Sequence, residues 1–137
     1  MVSPDRLLIS FDIDGTLAVG DPPGPVTLQM VAVAQSRGHV IGSASDRTLS
    51  EQRQIWAEAG ISVDFMCNKH LLTQHISAFD CRRMLHIGDT TSDEYYAGLA
   101  GLEFVNVNIL TSDWSAFLAE VEQRPRPDRR GHSVLPG

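Results

Sequence analysis

The sequence predicts an α/β fold in which one mostly parallel sheet of about five strands lies between two helical layers. Three observations predict it. Short apolar runs alternate with segments of helical periodicity, the links between them are short, and most runs stop at an acidic residue or a glycine. Strands separated by single helices favour a parallel sheet, because each helix carries the chain back to the edge where the next strand starts.

The elements follow in order. Residues 7–11 (Leu7-Leu8-Ile9-Ser10-Phe11) form a buried strand that stops at Asp12-Ile13-Asp14-Gly15. Residues 20–25, with three prolines and two glycines, are a loop. A helix is predicted from Pro25 or Val26 to about Arg37, with Leu28, Val31, Ala32 and Ala34 on its apolar side and Gly38 closing it. A second strand covers 39–44 and ends at Ser45 or Asp46. Thr48 or Ser50 then caps a helix that runs to Ala59, and Gly60 ends it. A weaker third strand covers 63–67. A helix is predicted over 70–79 from Leu71, Leu72, Ile76 and Phe79. Residues 84–87 form a fourth strand before Gly88-Asp89, and Thr91 or Ser92 caps a helix to about Ala100. A fifth strand covers 104–107, and Ser112 or Asp113 caps a last helix through Glu122. The whole is a Rossmann-like three-layer α/β/α sandwich.

The 137 residues are enough for one domain. We expect a core over 1–123 and an extended or flexible tail over 124–137, which holds three prolines and few apolar residues. Four arginines against one aspartate give the tail +3 of a net −6, so the rest carries −9. An acidic body argues against binding a nucleic-acid duplex, which requires a cationic face. The apolar runs are too short to span a bilayer, and no basic stretch leads into an apolar leader, so a cytoplasmic location is expected. Cys67 and Cys81 lack metal-site spacing and are read as free thiols. His39, His70, His75 and His86 also lack metal-motif spacing. His86, on the fourth strand, is expected to pack.

In open α/β sheets, ligands bind beyond the carboxyl ends of the strands. Polar groups gather there on four segments: Asp12 and Asp14, Ser43 to Arg47, Asn68 and Lys69, and Gly88, Asp89 and Asp93. Carboxylates crowded on one edge repel each other, so a cation is implied, and hard oxygen ligands suit Mg²⁺. A metal there offsets the repulsion between a phosphate and an attacking carboxylate. Lys69, the only lysine, adds a positive charge. Hydroxyls and backbone N–H groups can hold phosphate oxygens. Asp14 can protonate a leaving group and then activate water.

These segments resemble the four motifs of the haloacid dehalogenase superfamily of phosphatases. Asp12-Ile13-Asp14-Gly15-Thr16-Leu17 resembles motif one and Ser45-Asp46-Arg47 motif two. Lys69 fits motif three, and Gly88-Asp89 with Asp93 fits motif four. The resemblance implies a Mg²⁺-dependent phosphomonoester hydrolase acting through an aspartyl-phosphate on Asp12. It makes Asp14 the general acid/base, which also gives its backbone carbonyl to the metal. Ser45 and Lys69 join Asp12 and Asp14 as catalytic residues. Gly15, Ser45, Asp46 and Lys69 are the phosphate-binding set, and Asp12, Asp14, Asp89 and Asp93 the metal-binding set. Ser43 is the alternative to Ser45, and Arg82 or Arg83 the alternative to Lys69. The short spacers leave no room for a cap domain, and small capless members often form homo-oligomers that cover each other's sites. The expected partner is a phosphorylated small molecule or macromolecule. Phosphotransfer and a non-catalytic regulatory role are the alternatives. A receiver-like switch is less favoured, because the third strand ends without an aspartate.

Overall fold

A computed structural model describes residues 6–110 and 113–124. The expectations for 111–112 and for the tail beyond Arg124 lie outside the described residues. The fold is α/β, with a five-stranded, all-parallel sheet and helices on both faces. The strands are β1 (Leu7–Phe11), β2 (Val40–Ser45), β3 (Phe65–Asn68), β4 (Arg83–Gly88) and β5 (Glu103–Asn106). Their order across the sheet is β3-β2-β1-β4-β5. The helices are α1 (Leu28–Ser36), α2 (Leu49–Ala59), α3 (Leu72–Ile76), α4 (Thr91–Ala100) and α5 (Trp114–Gln123).

Alternation along the strands builds two cores, since successive side chains point to opposite faces. Leu7, Ile9 and Phe11 join Ile41, Leu85 and Ile87 under Val31 and Ala34 of α1, Trp56 of α2 and Trp114, Leu118 and Val121 of α5. Leu8, Val40, Ala44 and Phe65 face the other way, against Leu72 and Ile76 of α3 and Ala97 of α4. Ser10 shares this second face with His86, its register partner on β4. Strands buried on both sides explain the near-continuous apolar runs.

Several boundaries differ from the expected ones. Helix α1 starts at Leu28, because Thr27 caps it by accepting the Met30 N–H at 3.1 Å. Ala32 is exposed rather than on the apolar side, as it lies a hundred degrees around the helix from Val31. The helix expected over 70–79 is a single 3₁₀ turn at Lys69–Leu71 followed by five residues of α3. Past Ile76, Phe79 packs on Phe65 with ring centroids 5.8 Å apart, and that contact serves the apolar position without a longer helix. Thr90, not Thr91 or Ser92, caps α4. The fifth strand lies one residue earlier than expected, and Val107 opens a short 3₁₀ turn. Thr48 and Gly60 bound α2 as expected. No inserted domain occurs among the described residues; residues 12–27 form a compact loop tied by Val26 N–H to Thr16 O (2.9 Å) and Ala18 N–H to Val26 O (2.7 Å).

Candidate active site

The chain runs outward through β1, β2 and β3, then returns to place β4 on the other side of β1. This reversal opens a crevice past the carboxyl ends of β1 and β4, where ligands bind in such sheets. The residues that directly follow β1, β2, β3 and β4 are Asp12, Asp46, Lys69 and Asp89. The sheet therefore delivers three carboxylates and one ammonium to a single edge.

Lys69 is the hub. It is 4 % exposed, and its Nζ lies 3.2 Å from Asp93 Oδ1, 3.6 Å from Asp12 Oδ2 and 3.5 Å from Asp46 Oδ2. Burial alone would lower its pKa, but the surrounding carboxylates outweigh this and raise it. The ammonium thus stays charged. Asp12 is itself buried, and its Oδ1 accepts the Ile13 N–H at 2.8 Å. Burial, with the Asp93 charge beside it, raises its pKa well above the usual carboxylate range despite Lys69. A second cation near Asp12 would favour its ionised form.

Asp93 is the most heavily bonded carboxylate here. Its Oδ2 accepts from Thr90 Oγ1 (2.8 Å), Thr90 N–H (3.1 Å) and Asp89 N–H (3.2 Å). Its Oδ1 takes Lys69 and lies 2.8 Å from His86 Nε2. The other ring nitrogen of His86 is 2.8 Å from Ser10 Oγ. Burial would raise the Asp93 pKa, but His86, Thr90 and Lys69 together hold it far below the usual range. Two glycines allow the close packing. A Cβ on Gly88 would collide with the Asp93 side chain, and one on Gly15, at φ 78°, would collide with the Asp89 carboxylate.

Asp14 is tied to Arg47. Arg47 Nε lies 3.1 Å from both its carboxylate oxygens, Arg47 Nη2 donates to Oδ1 at 2.9 Å, and Asp21 N–H adds a bond of 2.8 Å. Partial burial pushes its pKa up, but Arg47 and Asp21 outweigh that and hold it below the usual range. Ser43 and Ser45 have separate tasks. The Ser43 hydroxyl donates to Gln52 Oε1 (2.7 Å) and accepts from Trp56 Nε1 (3.0 Å), deep under α2. Among the described residues, Ser45 Oγ accepts the Arg47 N–H (3.0 Å) and its proton has no acceptor. The Gly15 N–H is bonded to Pro22 O, and the Asp46 carboxylate is paired with Lys69. Arg82 and Arg83 hold the C-terminal end of α5 through Glu122 O and Val121 O and are not part of this site.

Asp12, Asp89 and Asp93 each offer a carboxylate oxygen within 4.8 Å of the others. Asp89 Oδ1 is one of three buried polar side-chain atoms that lack a partner among the described residues. A buried oxygen left unpaired is costly. A hard cation would satisfy it, and carboxylate oxygens are the donors that Mg²⁺ takes. Within the triad, Asp93 already accepts five bonds, so Asp12 and Asp89 hold the more open oxygens.

Arg47 and His86 carry contacts to site carboxylates that the sequence reading did not assign. Arg47 had a signal, since it directly follows Ser45-Asp46. His86 also had one: Ser10 and His86 are polar residues in apolar strands, and both lie one residue off the Leu7/Ile9 and Leu85/Ile87 pattern. No helix among the described residues is long and apolar enough to cross a membrane. No protein-family model and no curated protein matches the chain.

Proposed function

We propose that the protein is a Mg²⁺-dependent phosphomonoester hydrolase of the haloacid dehalogenase type, with Asp12 as nucleophile. One observation carries this reading. An aspartate triad, with Asp12 and Asp93 buried, Asp89 half-buried and one Asp89 oxygen unpaired among the described residues, sits beside a buried lysine, at the crevice where the strand order reverses. The strand order also speaks against a receiver-like switch, whose sheet runs 2-1-3-4-5.

An Asp12 oxygen attacks phosphorus while the phosphorus–oxygen ester bond breaks. Asp14, having left Arg47 and taken a proton, gives that proton to the departing oxygen, so an alcohol leaves. Asp14 then takes a proton from water as the water oxygen bonds to phosphorus. The Asp12–phosphorus bond breaks, which returns inorganic phosphate and a free Asp12 carboxylate. Lys69 and the Ser45 hydroxyl hold phosphoryl oxygens through charge and hydrogen bonding. Asp12 and Asp89, with Asp93 beside them, would hold Mg²⁺, which would supply the charge neutralisation that lets a carboxylate approach an anionic phosphate.

The test is a panel of phosphomonoesters assayed with Mg²⁺ and with excess EDTA. Wild type turns over at least one ester with Mg²⁺ and none with EDTA. Asp12→Asn loses at least about 10³-fold in kcat. Asp14→Asn loses roughly 10²- to 10⁴-fold. Equal turnover by Asp12→Asn and wild type would remove Asp12 from the mechanism.

A further inference from the structure

An open cleft of about 390 Å³ adjoins the Lys69 site, lined by Asp46, Thr48, Leu49, Asn68 and His70. That volume lies within the range of small-molecule sites, roughly 300–1,000 Å³. Asp46 joins cleft and site. Its carboxylate lies 3.5 Å from Lys69 Nζ, yet the side chain is 81 % exposed. A phosphoryl group held at Lys69 would point the rest of its molecule into this cleft or its immediate surroundings.

The hydrogen-bonding capacity of the walls is uneven. Asn68 Nδ2 is spent on Ser45 O (3.2 Å) and Arg47 O (2.8 Å), which leaves its Oδ1 as an acceptor. The Thr48 hydroxyl is spent in the capping box of α2 with Glu51. The Arg47 guanidinium, adjacent in sequence to Asp46 and Thr48, is committed to Asp14 and lies 4.0 Å from Glu51. No lysine or arginine among the described residues lines the cleft. What the cleft offers is acceptors, the His70 imidazole and one negative charge. A ligand with several hydroxyls satisfies the acceptors. A ligand with a second anionic group meets the Asp46 carboxylate, whose one ion-pair partner among the described residues, Lys69, is then engaged by the phosphoryl group.

The geometry points to Asp46 as a specificity-determining residue that admits phosphomonoesters of neutral, hydroxyl-bearing alcohols and excludes those whose alcohol carries a second anion. This rests on the phosphatase reading above. Two unit charges several ångströms apart near a protein surface repel enough for about tenfold discrimination. Removing Asp46 also takes one of three carboxylates from Lys69, which changes phosphate binding for all esters alike. The preference within a matched pair, rather than absolute activity, therefore isolates the effect.

The experiment uses p-nitrophenyl phosphate as reporter substrate with Mg²⁺. Competing compounds are glycerol phosphate against phosphoglycerate, and glucose phosphate against phosphogluconate. Each pair differs by one carboxylate. In wild type the neutral member of each pair competes about tenfold better. Asp46→Asn brings the two members close to parity, and Asp46→Glu restores the preference. Equal competition in wild type, no competition by either member, or a preference that survives in Asp46→Asn would each overturn the proposal. The wild-type comparison decides even if the variants misfold. Absence of reporter turnover would instead bring down the phosphatase reading, and the inference with it.

Discussion

At the scale of single residues, the site depends on side chains that are held twice. His86 lies between Ser10 Oγ and Asp93 Oδ1, both 2.8 Å away, with all three residues at or below 1 % exposure. Leaving a buried hydrogen-bonding group unpaired costs about 1–3 kcal/mol. His86→Ala is expected to lower unfolding free energy by about that amount in urea titration. Gln at this position retains a donor for Asp93, so His86→Gln should lose less. Equal stability of His86→Ala and wild type would mean that the two bonds contribute nothing net. The sequence showed which residues belong at the strand ends, because Asp12, Asp46, Lys69 and Asp89 follow strands directly. It did not show their pairing. Asp14 meets Arg47 across 33 positions of chain, and that contact depends on how the loop after β1 folds back.

At the scale of elements, the start of α4 serves both the helix and the site. Thr90 accepts the Asp93 N–H at 3.2 Å, and Asp93 accepts in return from Thr90 N–H and Oγ1. Thr90→Ala removes the cap, at a cost of about 1 kcal/mol. It also removes one of the bonds that fix Asp93, so affinity for Mg²⁺ should fall, as titration calorimetry can measure. A variant that binds Mg²⁺ like wild type would detach the cap from the site. Cap positions explain most of the difference between expected and observed elements. Thr90 was passed over for Thr91 or Ser92, because several hydroxyls compete for a cap and only the path of the chain selects one, and the helix start expected at Pro25 or Val26 moves to Leu28 behind the Thr27 cap. Short α3 was overestimated because Phe79 keeps the helical apolar spacing while packing on Phe65 from outside the helix.

At the scale of the whole molecule, the α/β class and the parallel sheet were legible from alternation alone, whereas the strand order needed the packing. Far from the site, Glu122 of α5 binds Arg37 and His39, and His39 Nδ1 in turn accepts the Leu7 N–H at 3.0 Å. This ties the last helix to β1 and to the segment before β2. The Arg37 hydrogen bond, opposed by slight burial and aided by His39, holds Glu122 below its ordinary value of 4.5. A carboxylate with a lowered folded pKa adds stability above pH 4.5 and loses it as pH falls towards the lower folded value. Glu122→Gln should therefore flatten the fall in stability below pH 4.5 while leaving the profile near neutrality parallel to wild type. An unchanged acid profile would contradict this. The open site also bears on assembly. Val19 and Leu49, 42 % and 40 % exposed, follow the carboxyl ends of β1 and β2, on the edge that holds the site. A second copy covering that edge would exclude water, and light scattering should then report a mass above the 15.0 kDa of one chain. A mass equal to one chain would contradict such covering.

The central claim is that Asp12 carries the phosphoryl group between the two steps. p-Nitrophenolate leaves without needing a proton, so Asp14→Asn should still be phosphorylated by p-nitrophenyl phosphate and Mg²⁺ while failing to activate water. Rapid acid quenching followed by peptide mass mapping should then find a phosphoryl adduct on Asp12 of Asp14→Asn, and none when Asp12→Asn is added. Turnover without an adduct, or an adduct on another residue, would contradict the account.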